Sequence, residues 1–333
     1  MGLLDFLKKV PQPKVTITTY EPTHEELTAQ WEKESSQRAA ERVRNFQKDA
    51  AGLYPHEILM IHYAPSYKIG EKDFPQFWRY EYAVDDPAAL LKSLYKKGFI
   101  REATAKESLS QLKVSELKSI LSELGLKTTG KKDELLKRIK ESASEEDLSS
   151  RILDRRYALT EAGEKELQVN QYVPYMHSHK YYDISMTRMC ILVNKHSNML
   201  YRDLLWSEFN RLLGEYIQSG NIGLYRNTRY NMFQFLMEEK RYSSAFENLA
   251  MAFFYDLNGD ASPFIAPALI DNFRDLERKL DYTDEQIIEI LNRIFTGLYA
   301  PNRNYANDEV ICIIVAYCFG HDEMAERVFN HQK

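Results

Sequence analysis

Long apolar runs are missing from this chain of 333 residues. None approaches the ~18 residues that a membrane-spanning helix needs, so no span is expected. The first ten residues, MGLLDFLKKV, lack the extended apolar stretch and small-residue cleavage site of a secretory signal. Cysteine is scarce and odd in number, with only Cys190, Cys312 and Cys318. That argues against a disulfide scaffold and for buried thiols in a reducing compartment, so a cytoplasmic protein is expected. Catalytic signatures are missing too. The chain contains no G-x-x-x-x-G-K-S/T, G-x-G-x-x-G, G-x-S-x-G or H-E-x-x-H. His177-Ser178-His179, with His196 and Cys190, has no carboxylate or cysteine pair at ligand spacing beside it. Cys312 and Cys318, six residues apart on a helix, do not share a face well enough to chelate. A non-enzymatic protein without metal or cofactor is expected. What remains is an ordinary mixture, 44% hydrophobic and 28% charged, with enough aromatic residues (22 Tyr, 16 Phe) for the cores of two or three domains.

One stretch stands out from this background. Residues 112–139 read LKVSELKSILSELGLKTTGKKDELLKRI. Val114, Leu117, Leu121 and Leu124 recur at helical spacing, with Ser115 as the expected N-cap and Gly125 closing the helix at positive φ. Thr128, Thr129 and Gly130 then open a second helix that packs Leu135, Leu136 and Ile139 and exposes Lys131, Lys132, Lys137 and Arg138. A loop that ends in free backbone N–H groups and a lysine pair at a helix N-terminus suits a phosphate oxygen. A helical hairpin used only for packing is the other reading of the same pattern.

The ordered string Leu117-Lys118, Leu121, Gly125-Leu126, Thr129-Gly130-Lys131-Lys132, Glu134-Leu135 and Arg138 resembles the SAP family of helix–extended loop–helix modules. The resemblance implies sequence-tolerant binding of duplex DNA, with Lys118, Thr129, Gly130, Lys131, Lys132 and Arg138 against backbone phosphates. Relatives of the motif also bind RNA or proteins. Chains combining these parts resemble SAP-containing proteins of Gram-positive bacteria and their mobile elements.

Charge supports this reading locally. Residues 109–140 hold eight basic against four acidic side chains, a net +4, while the whole chain is at −5, which leaves −9 for the remainder. An acidic body with one basic module meets nucleic acid through that module alone.

The rest divides as follows. Residues 1–22 are an N-terminal segment whose amphipathic start, Met1–Val10, either docks as a helix, frays, or touches a membrane surface. Residues 23–51 form a polar helix, with a Thr23/Glu26 capping box and Gly52 at its end. Residues 52–104 and 155–167 form one domain, with helices over 55–63 and 74–82 and a third begun by Asp86 and Pro87. A strand over 99–104 has its partner at 155–160. "KKGFI" followed by "RYALTEAGEKEL" resembles the end of a winged-helix domain, so the SAP-like segment, 105–150, is expected as an insertion at the wing tip. The would-be recognition helix carries Asp85-Asp86 and Pro-Ala-Ala at its leading end, a poor base reader, and a scaffold role is expected for it.

Residues 168–180 are polar, contain Pro174, and read as a linker. Residues 181–333 read as helices over 185–193, 200–218, 230–239, 243–257, 261–280, 283–298 and 308–318, with Gly220, Gly259 and Gly320 as stops. The stretch NMFQFLMEEKRYSSAFENLAMAFFYDLNG resembles one tetratricopeptide-like hairpin, although the Trp, Gly and Pro of that signature and its 34-residue period are absent. The expected fold is thus mainly α: a winged-helix-like α/β domain, a SAP-like insertion and an all-α domain, the last in its finer form an irregular solenoid that binds a protein partner. The functional expectation is a DNA-tethering adaptor, and the rival is a protein–protein scaffold without nucleic-acid binding.

Overall fold

The computed structural model describes residues 23–152, 154–259, 261–300 and 302–331. The Met1–Val10 stretch lies outside them, as does the side chain of Glu26 and with it the expected capping box. The chain is mainly helical and divides into two compact units, Met1–Val169 and Asn170–Lys333.

The first unit opens with α1 (His24–Arg44). This helix is shorter than the 23–51 expectation because Asp49 gathers the chain into a turn. Its Oδ1 accepts from the N–H groups of Ala51 (3.0 Å) and Leu53 (2.8 Å). Side-chain acceptors of this kind compete with helix bonding. Gly52 therefore serves that turn and does not end a helix.

Next come α2 (Pro55–Tyr63), α3 (Phe77–Tyr82, three residues shorter at its start than expected) and α4 (Pro87–Lys96). Asp86 caps α4 by accepting from Ala89 N–H at 2.8 Å. Trp78 is buried and donates its indole N–H to the Tyr67 hydroxyl at 2.8 Å. Of the aromatics in this region Trp78 and Tyr82 are buried, while Phe74, Phe77 and Tyr80 are half-buried.

Strand β1 (Ile100–Glu102) pairs antiparallel with β2 (Tyr157–Leu159) in the register Ile100↔Leu159. Both are shorter than expected. A bridge between Lys68 and Arg156 adds a third edge to this ladder. The last helix, α9 (Glu161–Val169), meets the strands at Gly163, where a Cβ would lie impossibly close to the Phe99 carbonyl oxygen, a backbone atom that cannot rotate away. Gly163→Ala is therefore expected to lower stability by about 1–3 kcal/mol through forced overpacking, read as a shift in denaturant midpoint without a change in slope.

Everything between the two strands folds around a core of its own. Helices α5 (Ala105–Ser108), α6 (Val114–Glu123), α7 (Lys132–Ser142) and α8 (Glu145–Ser149) bury Leu109, Leu117, Leu121, Leu135, Ile139 and Leu148 together. Entry and exit are tied at one point. The Glu145 carboxylate, at the start of α8, accepts from the N–H groups of Ala105 (2.5 Å) and Lys106 (3.1 Å) at the start of α5. That satisfies amides which a helix start leaves without intrahelical partners.

The module is anchored to β1 by a bidentate pair in which Arg101 donates to both Glu107 oxygens, at 2.7 and 2.8 Å. The Arg101 bonds, with help from the Thr104 N–H, hold the Glu107 carboxyl down to about 2. A folded pKa depressed below its unfolded value stabilises above the ordinary carboxylate range, and that contribution is lost as pH falls towards about 2. Both side chains are partly exposed, so the contribution is modest. Arg101→Ala is expected to raise the Glu107 titration towards the ordinary range, as followed by carboxyl-resonance NMR.

The second unit is all helical: α10 (Tyr172–His179), α11 (Met186–Lys195), α12 (Tyr201–Ser219), α13 (Ile222–Glu238), α14 (Tyr242–Asn258), α15 (Pro267–Leu280), α16 (Asp284–Phe295), α17 (Asn307–Cys318) and α18 (Asp322–Asn330). The expected linker, 168–180, instead holds α10, which buries Tyr172, Val173, Met176 and His177. Pro174 is tolerated there because the first turn needs no N–H from it. Helix α13 starts eight residues before the expected 230, since the Asn221 side chain caps it by accepting from Leu224 N–H at 3.2 Å. Pro267 at the first helical position delays α15 relative to the expected 261. Helix α18 was not expected.

Candidate nucleic-acid interface

The basic hairpin is built from α6, the loop Leu124–Lys131 and α7. Helix α6 begins after Lys113, whose N–H is accepted by Glu116 Oε2 at 2.6 Å, so Ser115 lies in the first turn and is not the N-cap. Leu117, Ile120 and Leu121 face the core, whereas Val114 is 40% exposed and outside it. The stripe thus runs through Ile120, which spacing from Val114 had passed over. Lys118 is exposed. At the far end Gly125 takes φ +67, which lets Leu126 N–H reach back to the Leu121 carbonyl (2.8 Å) and Gly125 N–H to that of Ser122 (3.0 Å). This 6→1 and 5→2 pair is the Schellman closure, and it turns the chain sharply into the loop.

The loop is held from inside. Arg138 of α7 donates through Nη1 to the carbonyls of Lys127 (2.5 Å) and Thr129 (3.2 Å). A residue expected on phosphate therefore has one amino group engaged in bracing the loop. Its neighbours face outward: Thr129, Gly130, Lys131 and Lys132 are all exposed. Lys131 occupies the N-cap position of α7 with an extended backbone and no side-chain cap bond. Among the described residues, the N–H groups of Lys132, Asp133 and Glu134 have no protein acceptor, and neither Lys131 nor Lys132 forms an ion pair. Two uncommitted ammonium groups thus sit beside three uncommitted amides at the positive end of a helix dipole.

The opposing term is equally local. Asp133 and Glu134 stand in the first turn of α7, and the Glu134 carboxylate folds over Gly130 (φ +133), close enough that any side chain there would meet it. Sequence reading passed over this, although an acid three residues after a helix start is a recognisable sign of a carboxylate reaching back. If an anion occupies this turn, Glu134→Gln removes a repulsive charge and tightens its binding. The expected gain is about threefold, by anisotropy of a labelled duplex at low salt, roughly the worth of one screened surface charge.

On another side of α6 lies a cleft of about 380 Å³ with Glu116, Glu123, Asp154 and Arg151 on its walls. That predominantly acidic cleft is not a phosphate surface. Among the described residues no three His, Cys, Asp or Glu side chains come together as a metal site. His179 bonds through Nε2 to Glu238 Oε1 at 2.6 Å, and His177 is buried. Cys190 and Cys318 are buried thiols outside any disulfide, and Cys312 is a half-buried one. No helix among the described residues is long and apolar enough to cross a membrane.

A helical hairpin with its own small core, a glycine-closed turn and an outward basic loop defines a compact module within a larger helical chain. Comparison with known families agrees: residues 108–142 match the family model of the SAP domain, a generally DNA-binding module. The match covers about a tenth of the chain. No curated protein and no solved structure matches it.

Proposed function

We propose that the chain is a non-enzymatic, cytoplasmic adaptor that holds duplex DNA by its backbone through the SAP module and recruits a protein through the helical unit. The observation that carries this reading is the exposed, unpaired Lys131–Lys132 pair beside the free amides at the start of α7, within the SAP match. Lys118 and Thr129 add exposed polar contacts, Gly130 lets the backbone approach, and Arg138 keeps the loop in shape. If three or four phosphates are engaged, the log–log salt slope is about −2.7 to −3.6. Affinity then falls about 40- to 150-fold between about 50 and 200 mM salt, which a mobility shift with a short duplex reads directly. Binding that ignores salt would remove the DNA half of the proposal.

The carrier of the module is read as a winged-helix-like domain. The order α2, bridging residue Lys68, α3, α4, β1, β2, α9 supports it, with the module standing where the tip of the wing would be. Helix α4 exposes Ala88, Ala89, Lys92, Tyr95 and Lys96 behind Asp85 and Asp86, so it serves as scaffold and not as a base reader.

One observation favours the rival scaffold reading. Asp133 and Glu134 already place negative charge at the turn that a phosphate would need. In that case the loop docks a protein, and Glu134→Gln leaves DNA retention unchanged at the level of a nonspecific background.

A further inference from the structure

Helices α16, α17 and α18, at the C-terminal end of the second unit, enclose an apolar groove of about 340 Å³. Ile288, Ile311, Cys312, Val315, Ala316 and Met324 line it. Ile288 and Met324 remain 39% and 52% exposed, so their faces have no partner within the described residues. The volume lies at the lower end of the range for ligand sites and has room for a few aliphatic side chains.

Its surroundings are strongly one-sided in charge. Residues 284–330 contain eight acidic side chains and three basic ones. Two of the three, Arg293 and Arg327, are already paired, with Glu247 and Glu323. Asp308 stands on the wall of the groove, as does His321, and the exposed Glu285 and Glu289 neighbour its lining residue Ile288 on α16, whereas Glu323 beside Met324 is the acid that Arg327 engages.

We infer that this groove is where the helical unit takes its partner, and that the partner presents an amphipathic helix with aliphatic residues on one face and lysine or arginine along its flanks. An amphipathic helix laid in an apolar groove is a recurring mode of recognition, read as anchors at i, i+3, i+4 and i+7. The acidic surround selects basic flanks and speeds their approach, because complementary charge acts on association more than on final affinity. The inference rests on the recruitment half of the adaptor reading and does not depend on DNA.

Cys312 is a built-in reporter. It lines the groove and is half-buried, whereas Cys190 and Cys318 are buried, the latter with its thiol pushed up to about 12 by that burial. The full-length protein is alkylated with iodoacetamide and the modified cysteine assigned by mass spectrometry. The probe is a short acetylated and amidated helical peptide of leucine and lysine, leucines at i, i+3, i+4 and i+7. Its glutamate-for-lysine counterpart and a scrambled isomer serve as controls, and no DNA is present. At about ten times its Kd the lysine peptide should slow Cys312 alkylation about tenfold, by occupancy. The controls should not, and Met324→Asp or Ile288→Asp, both at exposed positions, should abolish the protection. Absence of protection, or equal protection by the glutamate peptide, overturns the inference. So does slow alkylation in the full chain that removal of residues 1–22 accelerates, since the occupant is then the chain's own amphipathic start. Loss of DNA binding in a separate assay leaves all of these outcomes intact.

Discussion

The doubly charge-reversed variant Lys131→Glu/Lys132→Glu is expected to bind a short DNA duplex at least about 100-fold more weakly than the native chain at low salt. Each lysine that meets a phosphate releases close to one counterion, so removing two from a set of three or four leaves one or two contacts. The log–log slope then falls to about −0.9 to −1.8, and the same salt step that costs the native chain about 40- to 150-fold costs the variant only about 3- to 12-fold. Reversal adds repulsion to the loss. Because both side chains are exposed and unpaired, the substitutions should leave the fold and its melting curve unchanged. Anisotropy at several salt concentrations, with a thermal melt alongside, checks both halves.

Leu121→Ala should act on binding by another route. Leu121 is fully buried in a core shared with Leu117, Leu135 and Ile139, and its carbonyl receives the Leu126 N–H that closes the turn. Truncating a buried leucine costs about 2–5 kcal/mol, and a core of this size has little reserve. The module is expected to open, with amides of residues 114–142 losing hydrogen-exchange protection while those of α2 and α14 keep theirs. DNA retention would fall with it. The two variants differ in cause, one removing charge from an intact loop and the other removing the loop's support, and the exchange pattern tells them apart.

How much of this was legible in the letters varies with the physics. Helices α6 and α7 were, because leucines at 3.6 spacing and a glycine at the turn record both the buried face and the point where φ must become positive. The lysine pair was legible for the same reason, since polar residues just ahead of an apolar period mark a helix start. The cap was misplaced because serine is a strong capper, whereas here Glu116 reaching back to Lys113 fixes the start two residues earlier. The inward engagement of Arg138 was invisible, since nothing in a one-dimensional pattern says that loop carbonyls at 127 and 129 will turn towards it.

Residues 168–180 misled for a related reason. Their polarity and Pro174 suggest a linker, yet Tyr172, Val173 and Met176 share a face that is buried, and the proline stands where helices tolerate it. In α13 the glycines at 220 and 223 hid a start that Asn221 supplies. Tertiary packing settled these segments, and local composition could not.

The central claim, that the start of α7 and its preceding loop receive a nucleic-acid phosphate, is tested most directly by titrating isotopically labelled protein with a short duplex and following backbone amide resonances. The account predicts salt-sensitive shifts that begin at Thr129 to Glu134, extend to Lys118, and leave α4 unmoved. Shifts confined to the α4 face or to the second unit, or no saturable shift at all at low salt, would contradict it.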